Sequence, residues 1–145
     1  MRPRPAGRAR TGAQLTAFAR RATAAAQEQA RDRVGQTLAL FALGRIRAAQ
    51  GNRPGAAEAF ATATRLEPKN ALYLVEEAQN LEDLGDIEGA AATLERAVRA
   101  RPGYRVAWGN LANLYVKLRR DADATEAFRT TERLAPAEAL TAVKA

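Results

Sequence analysis

Apolar residues in this chain recur every three or four positions, not every second one. From Ala71 to Leu84 they fall at Leu74, Ala78, Leu81 and Leu84, which share one face of a helix. Ala90, Leu94, Ala97 and Val98 repeat that spacing in the next run. Between the runs stands Gly85, where a helix needs a left-handed C-terminal residue, and Asp86 follows as an N-cap. Pro102 closes the second run, because proline has no N–H for the helical ladder and disfavours helix in the residue before it. The pattern predicts two helices joined by a tight turn. No stretch alternates apolar and polar residues, so no strand is predicted.

The pair of helices recurs. Pro68, Pro102 and Pro136 are spaced 34 residues apart. Gly51 and Gly85 keep the same step, with Arg119 in the third place. So do the columns Phe60/Leu94/Phe128, Ala56/Ala90/Ala124 and Gly44/Ala78/Ala112, and also Ala63/Ala97, with Thr131 standing third. One shared register across so many columns marks a stack of equivalent units. The first unit is predicted to run Thr37–Gln50 and Pro54–Leu66, and the third Arg105–Leu118 and Asp121–Leu134. The small columns have a packing purpose. Helix axes lie roughly 8–10 Å apart, and Ala or Gly at the crossing permits the near end of that range. Phe60, Leu94 and Phe128 then fill the space beside it.

These residues resemble the tetratricopeptide repeat family. The family motif sets an aromatic residue or Leu, then Leu, a small residue and Tyr or Leu on the first helix. On the second it sets Ala, an aromatic residue or Leu, and Ala, before a closing Pro. Trp108, Leu111, Ala112, Tyr115, Ala124, Phe128 and Pro136 match it best. Leu40, Leu43, Gly44, Ala56, Phe60, Ala63 and Pro68 match in the first repeat, and Leu74, Ala78, Leu81, Ala90, Leu94, Ala97 and Pro102 in the second. Arg47, Glu77, Arg119 and Thr131 depart from the motif and imply local loosening. The resemblance covers residues 37–136 and implies an all-α fold. That fold is a right-handed superhelical solenoid of three helix-turn-helix hairpins, with repeats at 37–70, 71–104 and 105–136.

The same resemblance implies a function. In the family, the first helices line a concave groove that binds a peptide or helix. Carried onto this chain, the groove comprises Leu38, Phe41, Arg45, Ala48 and Ala49, then Leu72, Val75, Gln79, Glu82 and Asp83, then Val106, Gly109, Asn113, Val116 and Lys117. Its apolar rim is Leu38–Phe41–Leu72–Val75–Val106, which is not one of the hairpin-packing columns. Family members that hold acidic chaperone tails do so with converging Lys, Asn and Arg side chains. The corresponding places hold Phe41, Arg45, Glu76, Val106 and Asn110, so no such clamp is expected.

The ends read differently. Residues 1–12 form a basic arm, with Arg2, Arg4, Arg8 and Arg10 expected in disorder. Thr11 and Gln14 fit a capping box, so an N-terminal capping helix is expected over 13–35, carrying Arg20 and Arg21 and a thin stripe from Leu15 and Phe18. A break at Gly35 is expected, with one long kinked helix as the alternative. A short C-terminal helix is expected over 137–145.

Composition narrows the chemistry. The chain has 145 residues and no Cys or His, and Ser is absent as well, so thiolate and imidazole metal sites and the usual nucleophiles and bases are missing. No enzyme, cofactor or metal is expected. The net charge of +7 is uneven: eight Arg against Glu28 and Asp32 give +6 in residues 1–36, and fifteen Lys and Arg against fourteen Asp and Glu give +1 in the remainder. The basic character belongs to the arm, and nucleic acid is not the expected partner. No apolar run approaches the ~20 residues that span a bilayer, and no secretory apolar stretch is seen. A cytoplasmic protein with a protein or peptide partner is the expectation. Self-association through the repeat ends and contact through the basic arm are the alternatives.

Overall fold

The structure is a computed structural model that describes residues 11–136. The arm residues Arg2, Arg4, Arg8 and Arg10 and the helix expected over 137–145 lie outside the described residues. Among those described, six helices and no strand are formed: α1 Gly12–Ala49, α2 Arg53–Leu66, α3 Ala71–Asp83, α4 Ile87–Ala100, α5 Arg105–Lys117 and α6 Asp121–Arg133. The chain divides into two compact units, Met1–Gly35 and Gln36–Ala145.

In the first unit the capping box is present. Thr11 N–H donates to Gln14 Oε1 at 2.8 Å, and Gln14 N–H donates to Thr11 Oγ1 at 3.2 Å. Residues 11–35 are exposed throughout, Arg20 and Arg21 included. The expected break at Gly35 does not occur, and the residues expected to form a separate helix are the start of α1. A glycine inside a helix costs about 1 kcal/mol relative to alanine but leaves the hydrogen-bond ladder intact. Nothing at Gly35 forces an end, since an added Cβ would meet no atom within 4 Å.

In the second unit the helices pair as hairpins. The three turns inside the hairpins share one geometry. Gly51 N–H donates to Ala48 O and Asn52 N–H to Arg47 O. Gly85 with Glu82 and Asp86 with Leu81 repeat this, as do Arg119 with Val116 and Arg120 with Tyr115. These are paired C-terminal bonds around a left-handed residue. Gly51 and Gly85 have φ of +80° and +87°. Arg119 stands at φ +60° with a side chain in its place, so the backbone follows the repeat against the local preference of the residue. Asn52 and Asp86 then cap the following helices, accepting from Gly55 N–H at 3.0 Å and Gly89 N–H at 2.9 Å. Arg120, in the third turn, makes no such cap and instead donates to Asp123 Oδ2 at 2.9 Å.

The core lies between the hairpins. Leu74, Ala78, Ala90, Leu94, Ala97, Leu111, Ala112 and Leu114 are buried in one cluster spanning α3 to α6. A smaller cluster holds Phe41, Ala56, Phe60, Ala63 and Tyr73. The expected filler Phe128 is 42% exposed, because α6 is the last helix among the described residues and none of them packs a further hairpin against it. At the joint between α4 and α5, Tyr115 Oη donates to Glu95 Oε1 at 2.8 Å while the Arg120 guanidinium sits 4.5 Å from the ring centroid. Burial, and then the hydrogen bond to Glu95, push the Tyr115 phenol up to about 12.

The left-handed third turn gives a direct test. Arg119→Gly should stabilise the fold by about 1 kcal/mol in urea unfolding, because the left-handed strain disappears and the exposed side chain makes no hydrogen bond or ion pair to a described residue. Gly85→Ala should destabilise it by a similar amount. Equal midpoints for Arg119→Gly and the parent chain would contradict the strain.

Candidate binding face

The candidate site is the face made by the first helix of each hairpin. It exists because the turns and small columns hold the hairpins in one register, so equivalent residues of α1, α3 and α5 line up. Leu38, Leu72 and Val106 occupy the same place in successive repeats and are 57%, 48% and 51% exposed. Val116 is also half-exposed, and Arg45, Gln79 and Asn113 are exposed. Glu82 is partly buried.

Two predicted groove residues are not on this face. Phe41 and Val75 are 7% and 4% exposed. The Phe41 ring lies 4.6 Å from Tyr73 and 5.7 Å from Phe60, and Val75 belongs to the larger core cluster. The expected five-residue rim is therefore Leu38, Leu72 and Val106 only. A large side chain at the Phe41 place is drawn into the joint with the next first helix, where it removes more apolar surface from water.

The electrostatics of the face are largely settled within the chain. Arg53 of α2 pairs with Asp83 Oδ2 at 2.7 Å, and Lys117 of α5 pairs with Glu82. These bridges tie the C-terminal end of α3 to its neighbours. Between α1 and α3 lies a cleft of about 150 Å³, lined by Arg45, Ala48, Glu76, Gln79 and Asp83. Asn80 also borders it. Its Nδ2 donates to Arg53 O at 3.1 Å, while its buried Oδ1 has no partner among the described residues. The side chains of Gln79, Asn110 and Asn113 make no hydrogen bond to a described residue. Glu76 and Asn110 are one helical turn before Gln79 and Asn113 and share their face; the resemblance marks them only as places of an absent clamp. Arg53 carried no such signal, since it comes from a second helix.

Two of the motif departures make local hydrogen bonds. Arg47 Nη1 donates to Gly55 O at 3.1 Å, and Thr131 Oγ1 to Ala127 O at 2.8 Å. Glu77 replaces a core leucine and leaves its buried Oε2 without a partner among the described residues.

The family model described as tetratricopeptide repeat matches residues 41–105 and 75–139. The chain belongs to the tetratricopeptide repeat family. No curated protein matches it. Among solved structures it is similar to the second TPR of Spaghetti (RPAP3) bound to the HSP90 peptide SRMEEVD, at 18% identity and a TM-score of 0.69, covering 74% of this chain and 99% of that one. The first TPR of the same protein, bound to the same peptide, is similar at 18% identity and a TM-score of 0.66, covering 71% and 82%. The Sgt2 TPR domain from Aspergillus fumigatus is similar at 24% identity and a TM-score of 0.63, covering 68% and 65%. At these identities the likeness is one of fold. Among the described residues, no helix is long and apolar enough to cross a membrane.

Burial separates the two kinds of predicted groove residue in a measurable way. Val75→Glu should cost about 3 kcal/mol or more, because it puts a charge into the repeat core. Leu72→Glu and Val106→Glu should each stay within about 0.5 kcal/mol of the parent in urea unfolding. A Leu72→Glu loss as large as that of Val75→Glu would put Leu72 in the core instead.

Proposed function

We propose that the chain is a protein-interaction module that takes a peptide segment across the face of its first helices. The observation that carries this reading is an exposed apolar side chain at the same place in each repeat, Leu38, Leu72 and Val106, beside the amides Gln79, Asn110 and Asn113, whose side chains make no hydrogen bond to a described residue. Apolar side chains of a partner gain by leaving water against the rim. Amide side chains offer both a donor and an acceptor, which suits the backbone of an extended segment. A helical ligand has already satisfied its own backbone, so the amides favour an extended one. The role is binding and not catalysis.

Self-association is the second reading. Leu43 and Ile46 on α1 and Phe128 on α6 are exposed apolar side chains, each of which a stacking copy could cover. The charges oppose a stack that copies the internal joint. The places equivalent to Tyr115 and Glu95, which attract, hold Arg47 and Arg129, which repel. Contact through the basic arm is left as the third reading, with four of its arginines outside the described residues.

Selection of displayed random segments on the parent chain tests the proposal. Segments recovered this way should lose binding to L72E/V106E while that variant keeps its helical content. Retention by the double variant would remove this face as the site. A second outcome concerns ligand charge. The peptide SRMEEVD should show no saturable binding, because Phe41, Val106 and Asn110 stand where the cations of such a clamp would converge. Saturable binding in a fluorescence titration would show that the face accepts acidic tails.

A further inference from the structure

Lys69, Arg96 and Arg99 converge on a cleft of about 450 Å³, walled by Pro68 and Ala100. None of these residues belongs to a first helix. Lys69 lies in the loop after α2, and Arg96 and Arg99 lie in the last two turns of α4. All three are exposed, and no carboxylate among the described residues pairs with any of them. Four cations elsewhere in the unit pair with carboxylates, among them Arg53–Asp83, Lys117–Glu82 and Arg120–Glu95. Others, such as Arg65 and Arg133, make no ion pair among the described residues but do not line a shared cleft with further cations. The adjoining carboxylate, Glu67, is already engaged by Thr37 Oγ1 at 2.7 Å and Asn70 Nδ2 at 3.0 Å.

Two ordinary explanations fall short. Cations suit the C-terminal end of a helix, and this covers Arg99 in part. It does not cover Lys69, which reaches the cleft from another element. Nor does the repeat require the cluster. The places one repeat further on hold Gly103, Thr130 and Arg133, so the convergence belongs to this junction alone. Solvent and salt screen these exposed charges, and an anion seated in the cleft would answer all three at once.

We propose that this cleft binds a phosphate monoester dianion presented by a phosphorylated peptide. A single carboxylate would leave most of the positive charge unanswered. A phosphoryl group carries about −1.5 to −2 charge and three acceptor oxygens at neutral pH. Two guanidinium forks and an ammonium match that acceptor set. The cleft has no aromatic side chain on which a base could stack, which disfavours a nucleic acid ligand. The site is separate from the first-helix face, so the two can be lost independently.

The test is an NMR titration of the full chain at constant ionic strength. The probes are inorganic phosphate, a short phosphoserine peptide, its unphosphorylated counterpart and a single-stranded oligonucleotide. Phosphate and the phosphopeptide should shift the signals of Lys69, Arg96 and Arg99, and the unphosphorylated peptide should not. R96Q/R99Q should weaken binding by about tenfold or more, whereas R133Q, outside the cleft, should leave it unchanged. K69Q, in the loop, gives a second variant that does not touch α4. Phosphopeptide affinity should fall as pH drops through about 6, where the dianion takes up a proton. Shifts reproduced by chloride at matched ionic strength, or an affinity unchanged in both R96Q/R99Q and K69Q, would overturn the proposal. Tighter retention of the oligonucleotide through the same three residues would assign the cleft to nucleic acid instead.

Discussion

Within each hairpin the two helices approach so closely that the side chains between them have almost no freedom of size. A Cβ on Gly44 would lie 2.6 Å from the Phe60 ring, well inside contact distance. Ala78 and Ala112, in the same column, are buried, as are Ala90 and Ala97 across the crossings. Close approach fixes the hairpin, and the left-handed turn fixes how its second helix starts. Once both are repeated in register, the first helices must present equivalent side chains side by side. The candidate face is therefore a consequence of small residues that never appear on it.

The unit is best satisfied at its centre and loosest at its ends. The second and third hairpins share a continuous cluster, with Leu74, Leu94, Leu111 and Leu114 fully buried. Leu43 and Phe128 are motif residues, yet both remain exposed, because each faces outward from the first or last described hairpin. A stack buries a motif residue only where a neighbour supplies the other side of the contact. Arg119 shows the reverse effect. Its neighbours hold a left-handed backbone that its own chemistry disfavours.

Charge is distributed on a different logic from hydrophobicity. Along the first-helix face, carboxylates and cations pair across helices and tie α3 to α2 and α5. Apart from Arg45 and Glu76, what remains there is apolar or amide, suited to reading shape and backbone. The positive charge that remains unpaired around the loop after α2 and the end of α4 is suited to reading anions. Two surfaces of opposite character on one small solenoid would let it recognise two features of a partner at once.

Periodicity alone determined the helix pairs, their turns, the closing prolines and the small-residue columns, because each is set by residues within a few positions of one another or by an exact step along the chain. The resemblance to the family, carried over position by position, put Leu38, Leu72 and Val106 on a common face. Tertiary structure decided what one-dimensional spacing cannot express. Phe41 and Val75 share the helical face of the groove residues, but Tyr73 and the core of the next repeat draw them inward. The continuity of α1 through Gly35 was likewise undecided by sequence, since a glycine weakens a helix without stopping it. The meeting of Lys69 with Arg96 and Arg99 joins residues of two repeats in a place where neither repeat alone carries a signal. Burial and charge convergence depend on which elements become neighbours, and only the packed hairpins fix that.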